Sequence, residues 1–186
     1  VWVGTQNGLN RLDAEGRNFV RYFHDSGTAA SLAHNWVYAL HRGASRQLWI
    51  GTVGGGIDRW DDAGGRFEHF PLASLLDGAR GLDDVFALHE AADGRVWAGT
   101  RDGLVVLDPA QRTAKRIDLA NDSGSQPLIT TMHADQYGRL WIATLAHGVL
   151  VVDLATGKSS RAHPGGVGAP GNLPSQPQLS LASNEH

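Results

Sequence analysis

The sequence predicts an all-β fold, a partial β-propeller of four-stranded antiparallel blades, and three observations carry that prediction. One strand motif recurs four times: Val1-Trp2-Val3-Gly4-Thr5, Leu48-Trp49-Ile50-Gly51-Thr52, Val96-Trp97-Ala98-Gly99-Thr100 and Leu140-Trp141-Ile142-Ala143-Thr144. The successive steps from Trp2 to Trp49 to Trp97 to Trp141 are 47, 48 and 44 residues, a period that belongs to solenoids and propellers. Each motif also sits among further short apolar runs bounded by Gly, Asp and Ser, the signals of strands and tight turns. Finally, no segment keeps a helical period for three turns, which removes the helical repeats of similar length. Four antiparallel strands in a unit of roughly 45 residues is the arithmetic of a propeller blade.

The chain enters on the last three strands of a unit: Val1 to Thr5, Gly8 to Asp13 and Asn18 to Tyr22, a partial blade over about residues 1–25. The next unit, 36–70, is the cleanest. Val37-Tyr38-Ala39-Leu40-His41 is its first strand and Gln47 to Thr52 its Trp strand. After the Gly54-Gly55-Gly56 turn come Ile57 to Asp61 and Arg66 to Phe70. Unit 84–118 repeats the order with Val85 to His89, Arg95 to Thr100, Gly103 to Asp108 and Thr113 to Ile117. Unit 129–162 does so with Ile129 to His133, Arg139 to Thr144, Gly148 to Asp153 and Lys158 to Arg161. A lone first strand is expected around Gln178 to Leu181, within 177–186. The inventory is three complete blades and one split between the termini, all in one domain. The expected shape is an open arc excised from a longer chain, or an arc that closes by pairing Leu179 to Leu181 with Val1 to Thr5.

In such a blade the first strand lies innermost and the Trp strand second. The rings of Trp2, Trp49, Trp97 and Trp141 then fill equivalent spaces between blades. Two residues later on the same face, Gly51 and Gly99 leave room where a side chain would crowd the neighbour; Ala143 is the exception, and Gly4 is the motif glycine of the first unit. Thr5, Thr52, Thr100 and Thr144 complete the structural motif.

Composition narrows the function. A net charge of -3 and a pI near 6.3 provide no basic footprint for phosphate, so nucleic acid is not an expected partner. With no cysteine there is neither a disulfide framework nor a thiolate metal site. No window approaches 18 uninterrupted apolar residues, and no nucleophile elbow, zinc-helix motif or phosphate-cradling loop is present.

The repeats resemble those of the two-component regulator propeller family. The matching residues are Asp93-Gly94-Arg95, Val96 to Thr100, Gly103-Leu104 and Asp108, and again Asp135 to Gly138, Leu140 to Thr144, Gly148-Val149 and Asp153. Arg46 stands where the turn glycine is expected, and Ala143 replaces the motif glycine. The resemblance implies an extracytoplasmic, periplasmic ligand-sensing segment of an inner-membrane protein, with a histidine kinase or diguanylate cyclase output elsewhere in the parent and no catalysis in this segment. It also implies a small-molecule or oligosaccharide ligand, contacts with the remaining blades and downstream signalling domains, and a possible homodimer. No cofactor is expected. The alternatives are a propeller lyase similar to streptogramin-inactivating enzymes, which Asp153-Leu154-Ala155-Thr156-Gly157 resembles in its turn, and a protein-binding scaffold.

Ligands of propellers meet the face that carries the turns between second and third strands and the linkers between blades. Here these are Gln6-Asn7, Val53-Gly54-Gly55, Arg101-Asp102 and Ala146-His147, with the linkers 26–35, 72–84, 120–128 and 164–177. The candidate ligand-binding residues are Asn7, Asn35, Trp36, Arg101, Asp102 and His147. A solvent-facing Trp36 beside Asn, Asp and Arg suits a sugar ring; the competing expectation is that Trp36 packs over the blade entrance and that Arg101-Asp102 is a solvated turn. His41, His89 and His133 each lie eight residues before a motif Trp. They could form a metal-binding ring, but repeat phasing alone accounts for them, and no metal is expected.

Overall fold

Each Trp motif folds as one strand of its own antiparallel sheet in the computed structural model, which describes residues 1–43, 45–77, 81–119 and 125–162. The first sheet has three strands, β1 (Trp2–Thr5), β2 (Gly8–Leu12) and β3 (Phe19–Tyr22), in that order. The second has four: β4 (Val37–Arg42), β5 (Leu48–Thr52), β6 (Gly56–Asp61) and β7 (Arg66–Phe70). A one-turn helix, α1 (Leu72–Leu75), follows. The third sheet is β8 (Val85–Glu90), β9 (Val96–Thr100), β10 (Gly103–Asp108) and β11 (Thr113–Ile117). The fourth is β12 (Ile129–Ala134), β13 (Arg139–Thr144), β14 (Val149–Asp153) and β15 (Ser159–Arg161). The architecture is that of β-propeller blades, three complete and one of three strands. The expected strand near Gln178 to Leu181 lies outside the described residues, and with it the predicted closure onto Val1 to Thr5.

The first strands β4, β8 and β12 pack side by side, and the sheets fan outward from them. Cross-strand partners share a face, so register tells which way each Trp points. Trp49 pairs with Arg59, and Gly51 with Ile57. The Trp49 ring joins Val96, Ala98, Val105 and Leu107 of the third sheet in one cluster, and Trp97 joins Leu140, Ile142, Leu150 and Val152 of the fourth. Trp2 packs against Leu48, Ile50 and Trp60 of the second. Each motif Trp with a following sheet is therefore driven into that sheet, and burying a ring of this size is among the larger apolar contributions a residue can make.

The motif glycines let the first strands come close. A Cβ at Gly4 would lie 2.6 Å from Val37 Cγ1, one at Gly51 2.8 Å from Val85 Cγ1, and one at Gly99 2.5 Å from Ile129 Cγ2. All three neighbours open the first strand of the next sheet. The linkers contribute to the core as well: Leu32, Leu72 and Leu82 are fully buried, so these segments do more than connect one sheet to the next.

The motif threonine locks the turn that follows it. Thr5, Thr100 and Thr144 donate their hydroxyls to the carbonyls of Gly8, Gly103 and Gly148 at 2.8 Å, and Thr52 to Gly56 at 3.1 Å. The same oxygens accept from the backbone N–H of Asn7, Asp102 and His147. Each glycine acceptor has φ between 70° and 96°, a region that disfavours a Cβ. At the other rim, Arg46 has φ 63° where Gly94 and Gly138 have 84° and 75°. Arg46 keeps the turn hydrogen bond, donating to Gly43 O at 3.0 Å as Gly94 does to Ala91 O.

Candidate ligand-binding face

Every first strand gains an extra residue at the same point. The register slips between Val37 and Ala39, between Val85 and Ala87, and between Ile129 and Thr131, the signature of a β-bulge. The residues passed over are Tyr38, Phe86 and Thr130. Tyr38 is 56% exposed and meets Phe86 edge to face, with centroids 5.0 Å apart. The bulges thus turn two aromatic side chains out of the packing between sheets, at the start of the innermost strands.

Charged groups gather beside them. Asp84 immediately precedes β8 and accepts an ion-paired hydrogen bond from Arg101 Nε. The Arg101 guanidinium lies 5.6 Å from the Phe86 ring centroid, within cation–π range. The backbone ties the same elements together, with Arg101 N–H donating to Asp84 O at 3.0 Å. One sheet earlier, Val53 N–H donates to Trp36 O at 2.9 Å, and Trp36 keeps 39% of its surface exposed. Exposed aromatic surface and a preordered guanidinium–carboxylate pair therefore share one rim, where the second-to-third-strand turns meet the linkers.

The sequence candidates divide on this rim. Arg101, in the turn after β9 and tied to Asp84, and Trp36, just before β4, stand beside the starts of the inner strands. Asp102, the next residue after Arg101, turns the other way and pairs with Arg116 of the outermost strand β11. Asn7 is exposed and donates its N–H to Thr5 Oγ1 at 3.1 Å. Asn35 is engaged in holding the linker: its carbonyl accepts from Gly8 at 2.6 Å and its Oδ1 from His24 N–H at 2.7 Å. His147 donates its N–H to Thr144 Oγ1 at 2.9 Å. Sequence reasoning missed Tyr38, Phe86 and Asp84. The signal was the repeated Val-aromatic-Ala-Leu-His of the two inner strands, which simple alternation does not mark as bulged.

A second missed group fixes the linker beside this rim. Asp58 is fully buried in β6, and its carboxylate takes hydrogen bonds from Ala33 N–H at 2.8 Å and His69 Nδ1 at 2.6 Å. The other ring nitrogen, Nε2, lies 2.8 Å from Ala29 O. Ala29 O can only accept, so Nε2 donates to it; the hydrogen bond to Asp58 raises the His69 pKa above its ordinary value, while burial raises that of Asp58. Residues 29–33 are thereby pinned to the second sheet.

The phased histidines lie at the far ends of the inner strands. The rings of His41 and His89 are 5.4 Å apart. Burial lowers the His89 pKa to about 4, with the His41 and His133 imidazoles adding to the shift. Burial lowers His41 too, against an opposing pull from Glu90. Glu90 is itself buried and accepts from Ser45 Oγ at 2.8 Å. Among the described residues, no three His, Asp or Glu side chains converge as a metal-binding group. On that same rim a cleft of about 190 Å³, open to solvent, is lined by Arg95, Trp97, Asp108, Lys115 and Thr156 between the third and fourth sheets.

No protein-family profile matches this chain, and no curated protein matches it by sequence. Solved structures do. The chain is similar to a Bacteroides thetaiotaomicron protein described as the extracellular domain of a one-component system, with TM-score 0.69 and 22% identity over 86% of this chain and 23% of that one. A second extracellular domain from the same organism, described as part of a hybrid two-component system, gives TM-score 0.57 and 23% identity over 83% of this chain and 25% of that one. Virginiamycin B lyase of Staphylococcus aureus gives TM-score 0.62 and 12% identity over 83% and 48%. The chain spans about a quarter of the length of the two signalling domains. Its fold is the β-propeller, and its structural neighbours include extracellular domains assigned to bacterial one-component and hybrid two-component systems.

Proposed function

We propose that the chain is the ligand-sensing propeller segment of an extracytoplasmic signalling protein, and that it binds a small molecule or oligosaccharide without transforming it. The observation that carries this reading is the rim on which Tyr38, Phe86 and Trp36 expose aromatic surface beside the Arg101–Asp84 pair. Aromatic faces with a fixed guanidinium and carboxylate present an apolar platform and directional hydrogen bonds together, which is what recognition of a polyhydroxylated ring requires. The likeness to extracellular domains of signalling systems supports the sensing role. In the parent, occupancy of the propeller would be transmitted to downstream kinase or cyclase domains across the membrane. No helix among the described residues is long and apolar enough to cross a bilayer.

The test is a thermal-shift screen of mono- and oligosaccharides against the chain and its Y38A and R101A variants. A binder at 100 times its Kd stabilises the folded state by about 2.7 kcal/mol, and both variants should lose that shift while keeping the ligand-free melting temperature. The shape shared with virginiamycin B lyase makes turnover of a cyclic streptogramin the control. Product formation by the chain would replace the sensor reading with the lyase one.

A further inference from the structure

The motif tryptophans differ in what their indole N–H groups meet. Trp141 donates from Nε1 to Asp135 Oδ2 at 2.8 Å, and Arg139 Nε donates to the same oxygen at 2.6 Å. Although burial pushes the Asp135 pKa up, the hydrogen bonds it accepts bring it down to about 2, so this pair of donors holds an ionised carboxylate. The third sheet builds the same turn from other residues. Ala91 N–H donates to Arg95 O at 2.9 Å where Asp135 N–H donates to Arg139 O at 2.8 Å, and Gly94 donates back to Ala91 O as Gly138 does to Asp135 O. Ala91 therefore stands at the position of Asp135, six residues before the motif Trp, and brings no carboxylate. Arg95 turns instead to Asp93, Nε to Oδ2 at 2.7 Å. Trp97 is 1% exposed and its Nε1 has no partner, a costly state for a buried donor. In the second sheet Gly43 takes this position and Trp49 Nε1 is likewise unpartnered, but there the Glu90 side chain fills the space that a Cβ at Gly43 would enter.

Trp97 lines the cleft of about 190 Å³ between the third and fourth sheets. Trp97 pairs with Val106, and Val106 with Lys115, so ring and ammonium share one face; Arg95 and Asp108 follow two residues along on that face. Most of the polar groups here are engaged within the chain. Asp108 accepts from the N–H of Ala110 and of Gln111, each at 3.0 Å, and the Thr156 hydroxyl donates to Asp153 at 2.8 Å. Lys115 forms no ion pair among the described residues. We propose that this cleft binds a small organic carboxylate, one oxygen of which accepts from Trp97 Nε1 as Asp135 does from Trp141, with Lys115 supplying the counter-charge. A neutral carbonyl would satisfy the indole and leave the ammonium unmatched. The cleft is smaller than the pockets that enclose drug-sized ligands, which suits a short-chain acid. It lies on the rim opposite Trp36 and Arg101, and the proposal does not rest on the sensing reading.

The test follows the indole ¹H–¹⁵N resonance of Trp97, assigned with W97F, as sodium acetate or sodium succinate is added to about 100 mM at constant ionic strength. A saturable downfield shift is expected at Trp97 and not at the other five tryptophans, and a parallel titration with sodium chloride should leave the signal in place. K115M, at an exposed position, should raise the titration midpoint at least about tenfold, the loss of one charge-assisted hydrogen bond. A91D should supply the carboxylate from the chain itself, so that its Trp97 signal lies downfield without added acid and no longer responds. Should A91D fail to fold by circular dichroism, K115M decides. A Trp97 signal that ignores both acids, as when water alone satisfies the donor, or that moves equally in chloride would overturn the proposal. So would an unchanged midpoint in K115M, or a folded A91D that responds as the parent does.

Discussion

The first and third sheets carry the same motif and differ in what surrounds it. In the third, Val96, Trp97, Ala98, Gly99 and Thr100 are all buried, between Trp49 on one side and the fourth sheet on the other, with β8 along the inner edge. In the first, Val3 is exposed, Trp2 is half-buried and the inner edge of β1 is unpaired among the described residues. The motif specifies a shape that two neighbours complete. Most of its stabilising energy is therefore nearest-neighbour energy, as expected of repeat architectures.

The largest test of this contrast is to remove equivalent rings. Trp97→Ala should destabilise the chain by about 3–5 kcal/mol, the range for deleting a buried aromatic, whereas Trp2→Ala should cost about 2 kcal/mol because its ring is already partly hydrated. Urea unfolding followed by circular dichroism measures both, and equal losses would mean that the first sheet is as firmly covered as the third.

Acid should act next, at the inner strands through His89. His89 is held neutral in the folded chain down to about pH 4 and regains its ordinary pKa of 6.5 on unfolding. Between those values the unfolded chain binds the extra proton, so stability falls as pH drops through this window. The His89 contribution to this loss between pH 7 and pH 5 is at most about 2 kcal/mol, solvent screening of its partly exposed ring reducing it, and His89→Leu should remove it; His69, whose pKa is raised, acts with the opposite sign and is unaffected by that substitution. The three-stranded first sheet has no counterpart to this histidine among the described residues, and Trp2→Ala should leave the pH dependence as it was.

The smallest effect concerns the turn of the second sheet, where Arg46 occupies the left-handed conformation that Gly94 and Gly138 take in the third and fourth. Arg46→Gly should stabilise by about 0.5–1 kcal/mol, the relief of the left-handed strain less the extra entropy of glycine. Thermal melting would register it as a small upward shift.

The strand order, the direction of the Trp rings and the crowding at Gly51 and Gly99 were legible in the sequence because all three follow from a fixed period and from alternation along a strand. Arg46 was legible as an anomaly for the same reason. The aromatic rim was not. Tyr38 and Phe86 owe their positions to bulges, which arise from a mismatch in residue count between paired strands and leave no mark on either strand alone. Asp58 was hidden in another way. In Ile57-Asp58-Arg59 it reads as the polar half of an alternating strand, yet its partners lie 25 residues before it and 11 after. Likewise, Leu72 and Leu82 reach the core from a linker that sequence alone assigns to the surface.

The threonine that ends each motif has a consequence for how such a surface can change. Because the hydroxyls of Thr5, Thr100 and Thr144 both donate to the glycine beyond the turn and accept from the backbone within it, these turns are held by groups at their two ends. The residues between them, Gln6-Asn7, Arg101-Asp102 and Leu145-Ala146-His147, have no required part in that lock through their side chains. One repeated scaffold can thus present a different set of side chains at each turn, and substitutions there can change that surface while the blades beneath keep their packing.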